Sequence, residues 1–165
     1  MPIYDRKKAV VYADQWWNDY NPNFRVFEDD CTNYVSQCLL AGGAPMTYGN
    51  RNSGWWYKGS GAKTDSWSLS WAVAHSLRWY LSTSKSGLTA VKVSSADKLT
   101  LGDIICYDFD GDGKWQHNAI VTSIAENGMP LVNAHTDNSI KRDWAYLDSR
   151  SWTPEIKYKF FHISV

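Results

Sequence analysis

Hydrophobic residues recur at helical spacing through the first half of the chain. The pattern predicts three helices, which cover residues 5–20, 31–40 and 67–81. Asn21-Pro22 ends the first helix and Gly42-Gly43 ends the second. Residues 43–65, between the second and third helices, are rich in Gly, Ser and Asn. An irregular segment of this length is more often a functional loop than a failed element of secondary structure.

From residue 90 onward the hydrophobic period changes to two, which is typical of strands. Five strands are predicted, at residues 91–93, 103–108, 117–124, 129–136 and 157–165. Glu126-Asn127-Gly128 is a hairpin turn signal between two of them. Helices followed by strands favour an α+β fold with an antiparallel sheet, and we expect residues 1–165 to form a single domain.

Charge and apolar content exclude several function classes. The chain carries 17 Lys plus Arg and 17 Asp plus Glu, so its formal net charge is zero. Nucleic-acid binding and polybasic membrane binding both need a basic surplus, so we expect no nucleic acid and no membrane as partner. No run of 18 apolar residues suits a transmembrane helix. Residues 1–8 lack the apolar stretch of a signal peptide, which leaves a cytosolic protein or an exported domain without its signal.

Ten tryptophans and ten tyrosines are the unusual part of the composition. One core does not easily hold ten indoles, because each buried N–H needs a partner, so some should line a groove. We place Trp55, Trp56 and Trp115 in loops, where they can stack on substrate. Core packing is expected for the tryptophans of the third helix, which are Trp67, Trp71 and Trp79.

Cys31 is the candidate nucleophile. It lies in the first turn of the second helix, after Asp30, which is a residue type suited to the N-cap. The free N–H groups and the positive end of the helix dipole favour a thiolate, so we expect alkylation below the ordinary thiol pKa of about 8.5. The alternative is a small buried hydrophobe, which is our interpretation of Cys38 and Cys106. Cys31 and Cys38 are too far apart to bridge, at roughly 10 Å along a helix.

A nucleophilic cysteine needs an imidazole within hydrogen-bond reach, and that imidazole needs an orienting acceptor. His117 opens a predicted strand at the end of the sheet, where it can face a helix N-terminus. The next strand carries Asn133 and His135 on one face, so alternation does not decide which of them orients His117. The alternative for His117 is a structural histidine at a strand end, and we interpret His75 and His162 as structural.

A set of motifs runs through the chain. DCTNYVSQCL begins at Asp30 and is followed by AGG at 41–43; further segments are WSLSWAVAHSLRWYL at 67–81, LGDII at 101–105, DFDGDG at 108–113, HNAIV at 117–121 and AHT at 134–136. In combination they resemble the putative amidase domain family, one of the papain-like cell-wall hydrolases that include NlpC/P60 and CHAP enzymes. The resemblance implies a papain-like, NlpC/P60-type α+β fold with N-terminal helices packed on the antiparallel sheet.

The same resemblance implies cleavage of amide bonds, often in peptidoglycan stem peptides or between sugar and peptide. Cys31 would attack the carbonyl, His117 would take and return the proton, and the Cys31 backbone N–H would form part of an oxyanion hole. NlpC/P60 relatives point to Asn133 as the third residue and the closer family points to His135. We slightly prefer Asn133, because an amide oxygen accepts from the ring N–H without titrating.

Asp108, Asp110 and Asp112 precede Gly113 as in the opening of a calcium loop. The twelfth position of such a loop is Ala119, where a bidentate Glu would be needed, so an EF-hand is excluded. A structural calcium site and a solvated β-turn that aims His117 both remain open. Zinc motifs are absent from the sequence, and no other cofactor is expected.

We therefore predict a monomeric cysteine amidase or peptidase, extracellular or associated with the cell wall, that acts on peptidoglycan or a peptide. Asp30, Trp55, Trp56 and Trp115 are expected to bind the substrate. Two alternatives remain: a cysteine peptidase or deamidase that acts on a protein partner as a toxin or effector, and a non-enzymatic glycan-binding module that uses the aromatic surface.

Overall fold

A computed structural model describes residues 3–165 and shows helices in the first half of the chain and a sheet in the second. The helices are α1 (Arg6–Trp16), α2 (Cys31–Ala41), α3 (Leu69–Ala72) and α4 (Ala74–Thr83). The strands are β1 (Tyr57–Lys58), β2 (Ser66–Trp67), β3 (Thr89–Val93), β4 (Ile104–Asp108), β5 (His117–Ile124), β6 (Pro130–Ala134), β7 (Ser139–Asp143) and β8 (Lys157–Ser164). The predicted α+β class is therefore consistent with the structure.

Six strands form one sheet in the order β3-β8-β4-β5-β6-β7, and every neighbouring pair is antiparallel. The strands β1 and β2 form a separate short ribbon in the long irregular segment. Strand β7 was not predicted, because it is an edge strand whose residues are mostly exposed and show no apolar alternation.

The predicted helix 67–81 is interrupted. Trp67 ends β2 and pairs with Tyr57, and the chain then forms α3 and α4 with an extended residue, Val73, between them. Trp71 is fully buried, but Trp79 is 61% exposed on α4, so the expectation that all three tryptophans pack in the core was wrong for Trp79. Because of the break at Val73, the side chains of α4 face other directions than one continuous helix would give them.

The two faces of the sheet pack against different partners. Ile104, Cys106 and Ile120 point toward the helices and belong to the larger core cluster. Their strand neighbours point the other way, into a second cluster that loop residues such as Leu99 and Tyr146 complete. Adjacent positions on one strand therefore lie in different environments. Within residues 3–165, none of the helices has the length and apolar character needed to cross a bilayer.

Asp103 joins α1 to the sheet. Its buried carboxylate accepts hydrogen bonds from Arg6 (2.6 Å) and from the backbone N–H groups of Thr100 and Ile163 (both 2.9 Å). His162 Nδ1 lies 3.0 Å from the second carboxylate oxygen. One side chain therefore connects the first helix with β4 and β8.

We expect Asp103→Ala to lower the free energy of unfolding by about 3 kcal/mol, because it leaves a part-buried guanidinium and buried N–H groups without their acceptor. Urea denaturation measures the loss. The control is Glu126→Ala in an exposed turn, which should change stability by less than about 0.5 kcal/mol. Equal effects of the two substitutions would contradict this role of Asp103.

Candidate active site

Cys31 is the first residue of α2 and is 4% exposed. Its Sγ lies 3.7 Å from Thr32 Oγ1 and 4.0 Å from the backbone oxygen of Gln116, the residue before His117. The start of α2 is therefore packed against the start of β5, so the two residues predicted as nucleophile and base lie on adjoining elements.

A buried side-chain pair fixes this contact. Thr32 Oγ1 donates to Asn118 Oδ1 at 2.7 Å, and Asn118 Nδ2 lies 3.1 Å from Cys106 Sγ. Thr32 follows Cys31 and Asn118 follows His117, so the bond sets the position of the helix along the strand. Neither residue was predicted as part of the site, although both lie inside the motifs that carry the family resemblance.

His117 is 6% exposed, and its Nε2 lies 2.9 Å from the hydroxyl of Tyr146. The rings of Tyr107 and Phe109 pack beside it. Burial, and then the positive charge of Arg142, lower the pKa of His117 to about 3. The imidazole is therefore neutral near neutral pH.

A cavity of about 480 Å³ opens beside His117. Its lining carries both signs of charge, from Asp29, Asp110, Asp137, Arg142 and Arg150. Trp152, which is 36% exposed, is the aromatic residue at this cavity with the greatest accessible fraction. Asp29 lies two residues before Cys31, so the cavity reaches the neighbourhood of the α2 start.

Asn133 does not reach His117. It pairs with Ile120, three residues along β5 from His117, and residues separated by an odd number on a strand face opposite sides. Its side-chain oxygen accepts from Thr122 and from the Lys141 backbone N–H, and its nitrogen donates to Asp14. The amide is therefore fully engaged on the helix side of the sheet.

His135 also lies away from His117. Its Nδ1 is 2.6 Å from the Asp30 carboxylate, its Nε2 is 2.6 Å from the Trp16 backbone oxygen, and its ring stacks on Tyr34. Tyr146 occupies the place predicted for Asn133 or His135. Tyr146 lies in an irregular segment with no periodic pattern, so nothing in the sequence analysis pointed to it.

Comparison with known proteins identifies the family of the chain. The model of the family described as "Putative amidase domain" matches residues 3–161. The chain belongs to this family. The family assignment indicates an amidase, a hydrolase that acts on amide bonds, and the family part of the resemblance is confirmed. The relation to NlpC/P60 and CHAP enzymes stays a prediction.

Two relatives come from Bacillus subtilis (strain 168). "Uncharacterized protein YhbB" is 56% identical over 161 residues, which are 97% of this chain and 50% of that protein. "Uncharacterized protein YjcM" is 31% identical over 156 residues, 89% of this chain and 34% of that protein. The chain therefore spans half of the first relative and about a third of the second. No solved structure matches the chain, so the papain-like interpretation of the fold stays a prediction.

Asp30 lies at the predicted start of α2, but its side chain makes contacts that were not predicted. It is the N-cap residue of α2, but its side chain does not bond to the helix backbone. The buried carboxylate accepts from the Phe27 backbone N–H, from Asn33 Nδ2 and from His135. Its oxygens are occupied inside the protein, and its contact with substrate stays a prediction.

The structure does not place the three predicted groove tryptophans in an open groove. Trp55, Trp56 and Trp115 are all buried. Trp55 Nε1 donates to Ser36, and Trp56 Nε1 lies within hydrogen-bond distance of two loop carbonyl oxygens. Trp55 and Trp56 can be buried because the protein supplies acceptors for their indole N–H groups.

The acidic loop is a turn. Asp108 is buried, and its carboxylate accepts from the backbone N–H groups of Gly111, Asp112 and Gly113. Asp110 and Asp112 are left on the exposed side of this turn. Residues 3–165 contain no group of three or more His, Cys, Asp or Glu side chains that could hold a metal ion. The geometry thus favours the β-turn interpretation over the calcium site at Asp108, Asp110 and Asp112.

The protonation of Cys31 is the reverse of the sequence expectation. Burial raises the pKa of its thiol; hydrogen bonding by the Asn118 and Thr32 groups lowers it less, and the nearby Asp29 charge raises it further. The stabilisation of a thiolate by the helix N-terminus is therefore smaller than the cost of burying its charge. At rest the site pairs a neutral thiol with a neutral imidazole.

We expect the alkylation rate of Cys31 in the folded protein to stay low at neutral pH and to rise only above about pH 8.5, because the thiolate forms only there. Iodoacetamide labelling followed by peptide mass mapping measures the rate for Cys31 alone. The denatured protein is the control, since its thiols titrate at their ordinary pKa. A labelling rate that already reaches its plateau below that pH would contradict the raised pKa.

Proposed function

We propose that this chain is a cysteine amidase or endopeptidase that cleaves amide bonds of bacterial cell-wall peptidoglycan. The observation that carries the proposal is the contact between Cys31 Sγ and the backbone of Gln116, next to His117. It brings a thiol and a neutral imidazole to one end of the sheet, beside a polar cavity. Membership of the amidase family supports the choice of amide bonds.

The neutral pair favours general-base catalysis over a preformed ion pair. Nε2 of His117 is engaged by Tyr146, so Nδ1 is the nitrogen that takes the Sγ proton while sulfur attacks the carbonyl carbon. His117 then returns the proton to the leaving amine, which leaves a thioester on Cys31. A water molecule, deprotonated by His117, attacks that thioester and releases the carboxylic acid and the free thiol.

The start of α2 can stabilise the oxyanion. The first N–H groups of a helix have no partner within the helix, and Asp30 does not cap them with its side chain. They lie at the positive end of the helix dipole and beside Sγ, where negative charge develops in the tetrahedral intermediate. The Cys31 backbone N–H is our candidate donor.

The charge pattern of the cavity supports a peptide substrate that carries both negative and positive groups. Carboxylates and guanidinium groups line the same space, which suits the acidic and amino groups of peptidoglycan stem peptides better than an apolar ligand. Because this substrate lies outside the cell membrane, we propose that the protein acts outside the cell or at the cell wall; we also propose that it is a monomer. The burial of the three predicted groove tryptophans removes the main support for a glycan-binding module.

We expect Cys31→Ala and His117→Ala each to lower the release of new amine termini from purified peptidoglycan by at least about a hundredfold, because each removes a reacting group. Mass spectrometry of the digested muropeptides measures the release. The control is Cys38→Ala, which removes a buried sulfur from the same helix and should retain most activity. Undiminished cleavage by Cys31→Ala would overturn the cysteine mechanism.

The same digest separates the protein-directed alternative. Wild-type enzyme should release new amine termini from muropeptides and leave unfolded protein substrates intact. Cleavage or deamidation of proteins without any product from muropeptides would instead favour the toxin or effector alternative.

Trp152 offers a test of the cavity itself. We expect Trp152→Ala to raise KM about threefold or more with stability unchanged, because an aromatic contact contributes about 0.5–1.5 kcal/mol. The matched control is Trp79→Ala, which also removes an exposed indole but lies outside the cavity lining. Equal KM values for the two variants would show that substrate does not contact Trp152.

A further inference from the structure

We infer that Tyr146 is the positioning residue of His117: its hydroxyl accepts from Nε2–H, fixes the ring, and leaves Nδ1 free to take the proton of Cys31. This inference rests on the proposed function for its catalytic meaning. It assigns to a tyrosine on the loop after β7 the role that the sequence pattern had suggested for Asn133 or His135.

The contact between Tyr146 and His117 is buried and direct. Oη lies 2.9 Å from Nε2, and the two ring centroids are 5.1 Å apart. Tyr146 has a φ of 59°, which is uncommon for a residue with a bulky side chain. Such backbone strain persists only where the surroundings hold it, and it is often found at functional sites.

The surroundings of Tyr146 hold the phenol in place. The Arg142 guanidinium lies 3.9 Å from the centroid of the Tyr146 ring, and Asp148 and Ser139 bind that guanidinium. Tyr158 donates its hydroxyl proton to the backbone oxygen of Ala145, one residue before Tyr146. These contacts hold the turn that carries the Tyr146 hydroxyl.

The protonation of both partners agrees with this role. Burial raises the pKa of Tyr146, so its side chain is a phenol and can accept through its oxygen without carrying charge. A neutral imidazole carries one ring proton. If that proton lies on Nε2 and is donated to Tyr146, the lone pair of Nδ1 is available. The opposite tautomer would place a proton on Nδ1 and block transfer from the thiol.

The test uses Tyr146→Phe, which keeps the ring, the contact with Arg142 and the backbone conformation while it removes the hydroxyl. We expect kcat on peptidoglycan fragments to fall at least about tenfold and KM to change less than about twofold. The matched control is Tyr4→Phe, which removes a buried hydroxyl that donates to the Gly102 backbone oxygen and does not contact His117. This control should lose similar stability and keep its kcat.

A second readout is independent of activity. In ¹⁵N-histidine-labelled protein, the His117 signals, assigned by comparison with His117→Ala, should show the proton on Nε2 in the wild type and a mixture of tautomers in Tyr146→Phe. An unchanged tautomer in Tyr146→Phe, a wild type protonated on Nδ1, or an unchanged kcat would each overturn the role of Tyr146. If the wild type cleaves no amide, the proposed function fails while the spectra still decide which atom Tyr146 holds.

Discussion

The buried carboxylate of Asp30 is the contact on which the candidate site depends. It binds His135 at 2.6 Å, and the other ring nitrogen of His135 binds the carbonyl at the end of α1. Asn33, inside α2, binds the same carboxylate. The end of α1, the start of α2 and the end of β6 are thereby joined at one point, next to Cys31. Removing one partner from such a buried contact leaves a buried polar group without its hydrogen bond, which is costly.

Desolvation decides the chemistry that this arrangement can perform. Cys31 and His117 are both nearly inaccessible, and burial disfavours the charged form of each, so the thiol keeps its proton and the imidazole stays neutral. The charges of Asp29 and Arg142 act in the same directions. In the proposed mechanism, the proton therefore leaves Cys31 during attack on the substrate, and no thiolate is stored at rest.

Local patterns predicted the parts of the structure that local physics controls. The helix that begins at Cys31 and the strand that begins at His117 both have strong periodicity with a clear boundary, and both occur as predicted. The break at Val73 and the edge strand β7 were missed, because neither carries a periodic apolar signal. The burial of the predicted groove tryptophans was missed for a different reason. The acceptor for a buried indole can come from a segment distant in sequence, as Ser36 does for Trp55.

The sequence by itself determined the α+β class, the motifs of the amidase family and the two candidate residues for nucleophile and base. Each of these depends on residues that lie close together in the chain. Only the tertiary structure decided which side chain meets His117. The register of β5 and β6 places Asn133 on the opposite face, and a turn beyond β7 brings Tyr146 to Nε2. The burial that sets both protonation states is likewise a property of the packed molecule, since it depends on every segment that excludes water from the site.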